Sequence, residues 1–117
     1  MSEKAPKLPK SVTPEELKKL VAKHGKGKLF PVSADHDGKS YTAIVKKPSL
    51  AIIDAATSHA RDGQGIDPMK MMDFVYRNSL VVADPEIEDI DELKSAVRTA
   101  TFGLFQVAKA EVGEAFA

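Results

Sequence analysis

The stretch that most restricts the fold is KLFPVSADHDGKSYTAIVKK, residues 28–47. Residues 29–34 and 40–46 carry strand formers in partial alternation, and Asp37-Gly38 between them tolerates the positive φ angles of a tight turn. The stretch therefore reads as a β-hairpin. Pro31 has no amide to donate, so the first strand belongs at a sheet edge or begins after it. A lone two-stranded hairpin is marginal in water, so this one must pack on helices or pair with a partner strand.

Helix signals flank the hairpin on both sides. Upstream, Thr13, Pro14 and Glu16 form a capping box with proline at the first helical position, and Leu17, Leu20 and Val21 share a narrow apolar face that ends at Gly25. So narrow a stripe should dock weakly. Downstream, Pro48 and Ser49 start a helix carrying Leu50, Ile52, Ile53, Ala56 and Ala60, stopped by Gly63 and Gly65; its alanines allow another helix close approach. Asp67-Pro68 opens the next helix by the same logic, with Met69, Met72, Val75 and Tyr76 at helical spacing and Met71 and Phe74 widening the face. Burial on more than one side is expected, and Met69, Met71 and Met72 read as core more readily than as an adaptable groove. After Asn78 the pattern breaks into a turn and a short extended segment, 79–83, before Asp84-Pro85.

The last helix is expected to be the longest. Apolar positions 93, 96, 97, 100, 104, 107, 108 and 112 keep three-four spacing, Asp89 and Glu92 can supply its capping box, and Gly103 suggests close packing or a local bend. Residues 1–11, with two prolines, four charges and almost no apolar side chain, read as a flexible basic tail. The expected fold is α+β: residues 12–117 as one domain, a β-hairpin packed against about four helices, with the C-terminal helix as its spine.

Composition narrows the functional classes. The 117 residues include no cysteine, which removes disulfides, thiolate catalysis and Cys-ligated zinc. No apolar run approaches the ~20 residues that cross a bilayer, and the N-terminus lacks the apolar segment of a signal peptide, so a cytoplasmic protein without membrane contact is expected. Net charge is zero but segregated. Residues 1–28 hold eight lysines against three glutamates, whereas Asp84, Glu86, Glu88, Asp89, Asp91 and Glu92 cluster without a cation. Such separation can steer a charged partner, or be satisfied within the molecule or between copies in a homo-oligomer.

No stretch assembles a catalytic set. His24, His36 and His59 lack metal-ligand spacing, and Asp35-His36-Asp37-Gly38 departs from a calcium loop at Lys39, Ser40 and Lys46. Gly63-Gln64-Gly65 lacks a third glycine and a preceding strand, and no serine or threonine stands in a nucleophile elbow. The chain is thus read as a non-enzyme without cofactor or metal. The N-terminal lysines have no arginine or aromatic companions, which disfavours nucleic acid as a partner. The apolar residues an internal core needs least are Leu80, Val81, Val82, Phe102, Phe105 and Phe116, and these are the candidate partner-binding residues.

The order of these elements carries a family resemblance. A hairpin with an Asp-Gly turn is followed by the helix KKPSLAIIDAA, an Asp-Pro helix ending at Asn78, an aliphatic turn, Ala83-Asp84-Pro85-Glu86-Ile87, Asp91-Glu92-Leu93 and a closing Lys109-Ala110-Glu111. Over residues 26–112 this resembles the small tail assembly chaperone proteins of tailed bacteriophages and prophages. It departs from them at Ser79, Leu80 and Val81, where an Asn-Cys-Trp turn and a glycine would be expected after the helix, and in its longer basic extension before Lys26. The resemblance implies a non-enzymatic protein that coats the long apolar tape measure protein and is displaced as tail tube subunits assemble. The alternative roles are a virion structural or connector protein, or a small protein-binding adaptor.

Overall fold

The computed structural model describes residues 7–106 and 113–116. Thr13 caps helix α1 (Pro14–His24): its hydroxyl accepts the Glu16 amide at 3.2 Å, and Gly25, at φ 102°, ends the helix. Asp37 (φ 50°) and Gly38 (φ 76°) then close a two-residue turn between β1 (Leu29–His36) and β2 (Lys39–Lys46). The two strands pair antiparallel from Leu29 opposite Lys46 to His36 opposite Lys39.

Ser49 caps α2 (Leu50–Ala60) by accepting the Ile52 amide. A miniature two-stranded ribbon, β3 (Arg61–Asp62) and β4 (Gly65–Ile66), leads into α3 (Pro68–Ser79), where one Asp67 oxygen accepts from the Met69 and Lys70 amides. Ala56 and Ala60 are fully buried, and the His59 ring lies 5.1 Å from Phe74 where α2 meets α3. The small alanines give the close approach expected of them. The face of α3 is narrower than expected, because Met69 is 58% exposed.

α3 runs straight into a third strand, β5 (Leu80–Ala83), which pairs antiparallel with β2. The sheet order is β1-β2-β5, with Pro31 on the edge strand. The short extended segment expected before Asp84-Pro85 is thus a sheet strand. Its partner in β2 lies so far back along the chain that no local pattern could show the pairing. A register shift between Ile44 and Val45 leaves Val81 as the extra residue of β5.

The remaining helices are α4 (Glu86–Asp89), a single turn, and α5 (Asp91–Gly103), continued by a 3₁₀ turn over Leu104–Gln106. The expected capping box does not form: Asp89 is the last residue of α4, the cap of α5 is Ile90, and no side chain caps it. Asp91 and Glu92 remain in the first turn, where carboxylates suit the helix dipole. The buried seam of α5 is Leu93, Val97, Arg98 and Thr101, while Ala96 and Ala100 face outward. Among the described residues nothing lies within 4 Å of where a Gly103 side chain would begin, and the α-helix gives way there to the 3₁₀ turn. Expected helical positions 107, 108 and 112 lie outside the described residues.

The fold is α+β, with five helices and a small antiparallel sheet among the described residues. Alternation along the strands sets Phe30, Val32 and Ala34 beside Tyr41, Ala43 and Val45 on one face. That inner face packs on Tyr76, Ile87, Leu93 and Val97, the main core, with Leu80 and Ala83 of β5 against it. α5 packs against both β1 and α3.

Candidate protein-binding face

The opposite face of the sheet carries Pro31 and Ser33 from β1, Thr42 and Ile44 from β2, and Val82 from β5. Thr42 and Ile44 are nevertheless only 2% and 1% exposed. Their cover is the N-terminal segment. Composition pointed to a flexible tail over residues 1–11, but residues 7–11 are docked, and residues 1–6 lie outside the described residues. Pro9 and Val12 are buried, and one buried carboxylate holds the segment down: Asp84 accepts the Lys10 amide at 2.7 Å and the Thr42 amide at 2.9 Å. Its own amide donates to the Thr42 carbonyl at 3.0 Å. Lys10 adds an ion pair to Glu86 at 2.9 Å, and its ammonium sits 5.0 Å from the Tyr41 ring centre. That hydrogen bond raises the Lys10 pKa and lowers that of Glu86.

α1 lies over the rest of this face without filling it. Leu17 and Val21 share a cleft of about 200 Å³ with Leu8, Leu29, Pro31 and Ile44. On the other flank Leu20 shares one of about 370 Å³ with Val12, Val81 and Val82, rimmed by Glu16, Lys19 and Lys23. No residue of α1 is buried, in keeping with its narrow stripe. Among the described residues, two apolar clefts thus flank α1 on this face.

The six candidate partner-binding residues do not form one patch. Leu80 belongs to the inner core, Val81 and Val82 line the cleft beside α1, and Phe102 and Phe105 are half-buried at the far end of α5. Phe116 is fully exposed. Sequence reasoning missed the contribution of Leu20 and Val12, because neither shows its sheet neighbours locally. It also missed Leu50 and Ile66, which are large, apolar and exposed.

Comparison with known proteins finds no matching family model, curated protein or solved structure.

Away from this face, Arg98 is the main polar feature. Its side chain is 4% exposed, with Nε 2.7 Å from Asp73, Nη2 3.2 Å from Glu88 and the guanidinium 4.5 Å from the Tyr76 ring centre. Arg77 joins through Asp73 at 2.8 Å. Burial pushes the Asp73 carboxyl up, but hydrogen bonds from Arg98 and Arg77 outweigh it and hold the group below its ordinary value. Burial, with the Glu88 charge nearby, pushes the Tyr76 hydroxyl up to about 12. Half of the acidic run is thus spent on internal ties: Asp84 and Glu86 on the N-terminal segment, Glu88 on Arg98.

The histidines lie apart, at the end of α1, at the hairpin turn and against Phe74. Among the described residues no group of three or more histidines and carboxylates is placed to hold a metal ion, and no helix is long and apolar enough to cross a membrane.

Proposed function

We propose that this chain is a non-enzymatic protein-binding domain that receives an apolar segment of a partner on the outer face of its sheet, in the cleft lined by Val81 and Val82. The observation that supports it is the pair of apolar clefts under a helix with no buried residue of its own. Burying apolar surface yields roughly 25 cal/mol per Å², so an under-filled face gains from an incoming side chain. Lysines 19 and 23 on the rim would favour a partner with carboxylates beside its apolar positions.

The resemblance over residues 26–112 supplies the setting: a tail assembly chaperone whose partner is the tape measure protein. Many weak apolar contacts along a long helical partner suit a protein that must later be displaced. Co-expression with the neighbouring tail genes and affinity recovery of the tagged chain tests this. The expected result is a long helical protein recovered with it, and failure to recover one would count against the proposal. Mass spectrometry of purified virions then separates a chaperone, which should be absent, from a connector, which should be present.

A further inference from the structure

We propose that α1 is a displaceable occupant of the outer sheet face, and that the partner segment which replaces it is itself an amphipathic helix. This rests on the reading of that face as a protein-binding surface. The resident shows what the seat accepts: two helical turns presenting Leu17, Leu20 and Val21, an i, i+3, i+4 apolar set. Clefts of about 370 and 200 Å³ on its two flanks leave room for larger apolar side chains at the same positions. A helix bearing Phe at these positions, in place of Leu17, Leu20 or Val21, fills space that α1 leaves empty, and that contact is the difference that lets it compete.

The tethers are arranged for exchange. Upstream, residues 9–12 are fixed by the Asp84 clamp; downstream, Gly25 (φ 102°) and Gly27 (φ 78°) connect α1 to β1. Between these anchors α1 can leave as a loop closed at both ends, and closure entropy changes slowly with loop length. The core on the other side of the sheet contains no α1 residue, so release leaves it intact. While seated, α1 competes at the high effective concentration of a short tether, on the order of millimolar, and thereby suppresses weak or unspecific apolar ligands.

The test uses the full chain and a fluorescein-labelled synthetic peptide of residues 12–25, the resident's own sequence, added in trans. Leu17→Ser with Leu20→Ser weakens the resident without touching the sheet. The doubly substituted chain is expected to bind the peptide at least ~10-fold tighter than the unsubstituted chain, a difference of about 1.4 kcal/mol. Adding Val82→Asp should abolish the gain. In the unsubstituted chain, hydrogen exchange should be faster across α1 than across β2. Equal affinity for both chains would overturn the gating role of α1 while leaving the protein-binding reading in place. Absence of peptide binding to a doubly substituted chain with an unchanged circular dichroism spectrum would overturn both. Exchange in α1 as slow as in β2 would also overturn the proposal.

Discussion

Asp84 ties two distant parts of the chain together through one buried carboxylate. Its two oxygens and its amide join the N-terminal segment to β2, and it is 2% exposed. Replacing it with alanine leaves two backbone donors without their charged acceptor. Hydrogen bonds to charged groups contribute about 1.5–3 kcal/mol each, so Asp84→Ala should cost roughly 3–5 kcal/mol in urea unfolding, and Asp84→Asn about half that. In the sequence Asp84 was only one of six clustered carboxylates. Its role depends on a strand pairing and a returning N-terminal segment, neither of which leaves a local mark.

Arg98 is a second such case, since a mid-helix arginine normally reads as a solvated face. With Asp73 removed, this buried cation would keep only Glu88, so Asp73→Ala should cost roughly 2–3 kcal/mol, whereas Arg77→Ala, at a surface pair, should cost less than about 1 kcal/mol. The lowered Asp73 pKa means its contribution is present above the ordinary carboxylate range and lost as pH falls through its folded value. Tyr76 acts at the other extreme. Burial disfavours ionisation of its hydroxyl, which is pushed up to about 12, so the fold is insensitive to this group below pH about 10 and loses stability as pH rises from about 10 through 12. Among the described residues the buried Tyr76 hydroxyl has no hydrogen-bond partner, so Tyr76→Phe should be neutral or slightly stabilising and should remove that alkaline loss. Thermal unfolding between pH 7 and 12 checks both statements.

At the scale of elements, what was legible was what is local. The Asp37-Gly38 turn, the Thr13, Ser49 and Asp67 caps and the Pro31 edge position each depend on neighbours within a few residues, and all of them form. The third strand was legible as a short extended segment but not as part of the sheet, because its partner strand lies far back along the chain. The start of α5 misled for a different reason: Asp89 has the chemistry of a cap but is used by the preceding one-turn helix. Energies follow the same division. Gly38→Ala should cost about 1 kcal/mol in global unfolding, because it strains the turn that sets the register of the whole sheet. Thr13→Ala should remove about 1 kcal/mol from α1 alone, visible as faster hydrogen exchange there with little change in global stability.

At the scale of the molecule, one sheet separates two surfaces of different quality. The inner surface is closed by Tyr76, Ile87, Leu93 and Val97, all essentially fully buried. The outer surface is closed at one end by the Asp84 clamp and left with clefts under α1 at the other. The contrast was only half legible: the weak docking of α1 followed from its narrow stripe, but which surface it docks on required the fold. The same contrast separates Val82, at the outer cleft, from Phe102, half-buried toward the end of α5. The central claim is that a partner is bound at the outer face, so the most direct measurement is the affinity of the recovered partner for chains carrying Val82→Asp or Phe102→Asp. Val82→Asp is expected to weaken binding by roughly tenfold or more while Phe102→Asp leaves it within about twofold. A loss confined to Phe102→Asp, with Val82→Asp binding as well as the unsubstituted chain, would contradict that claim.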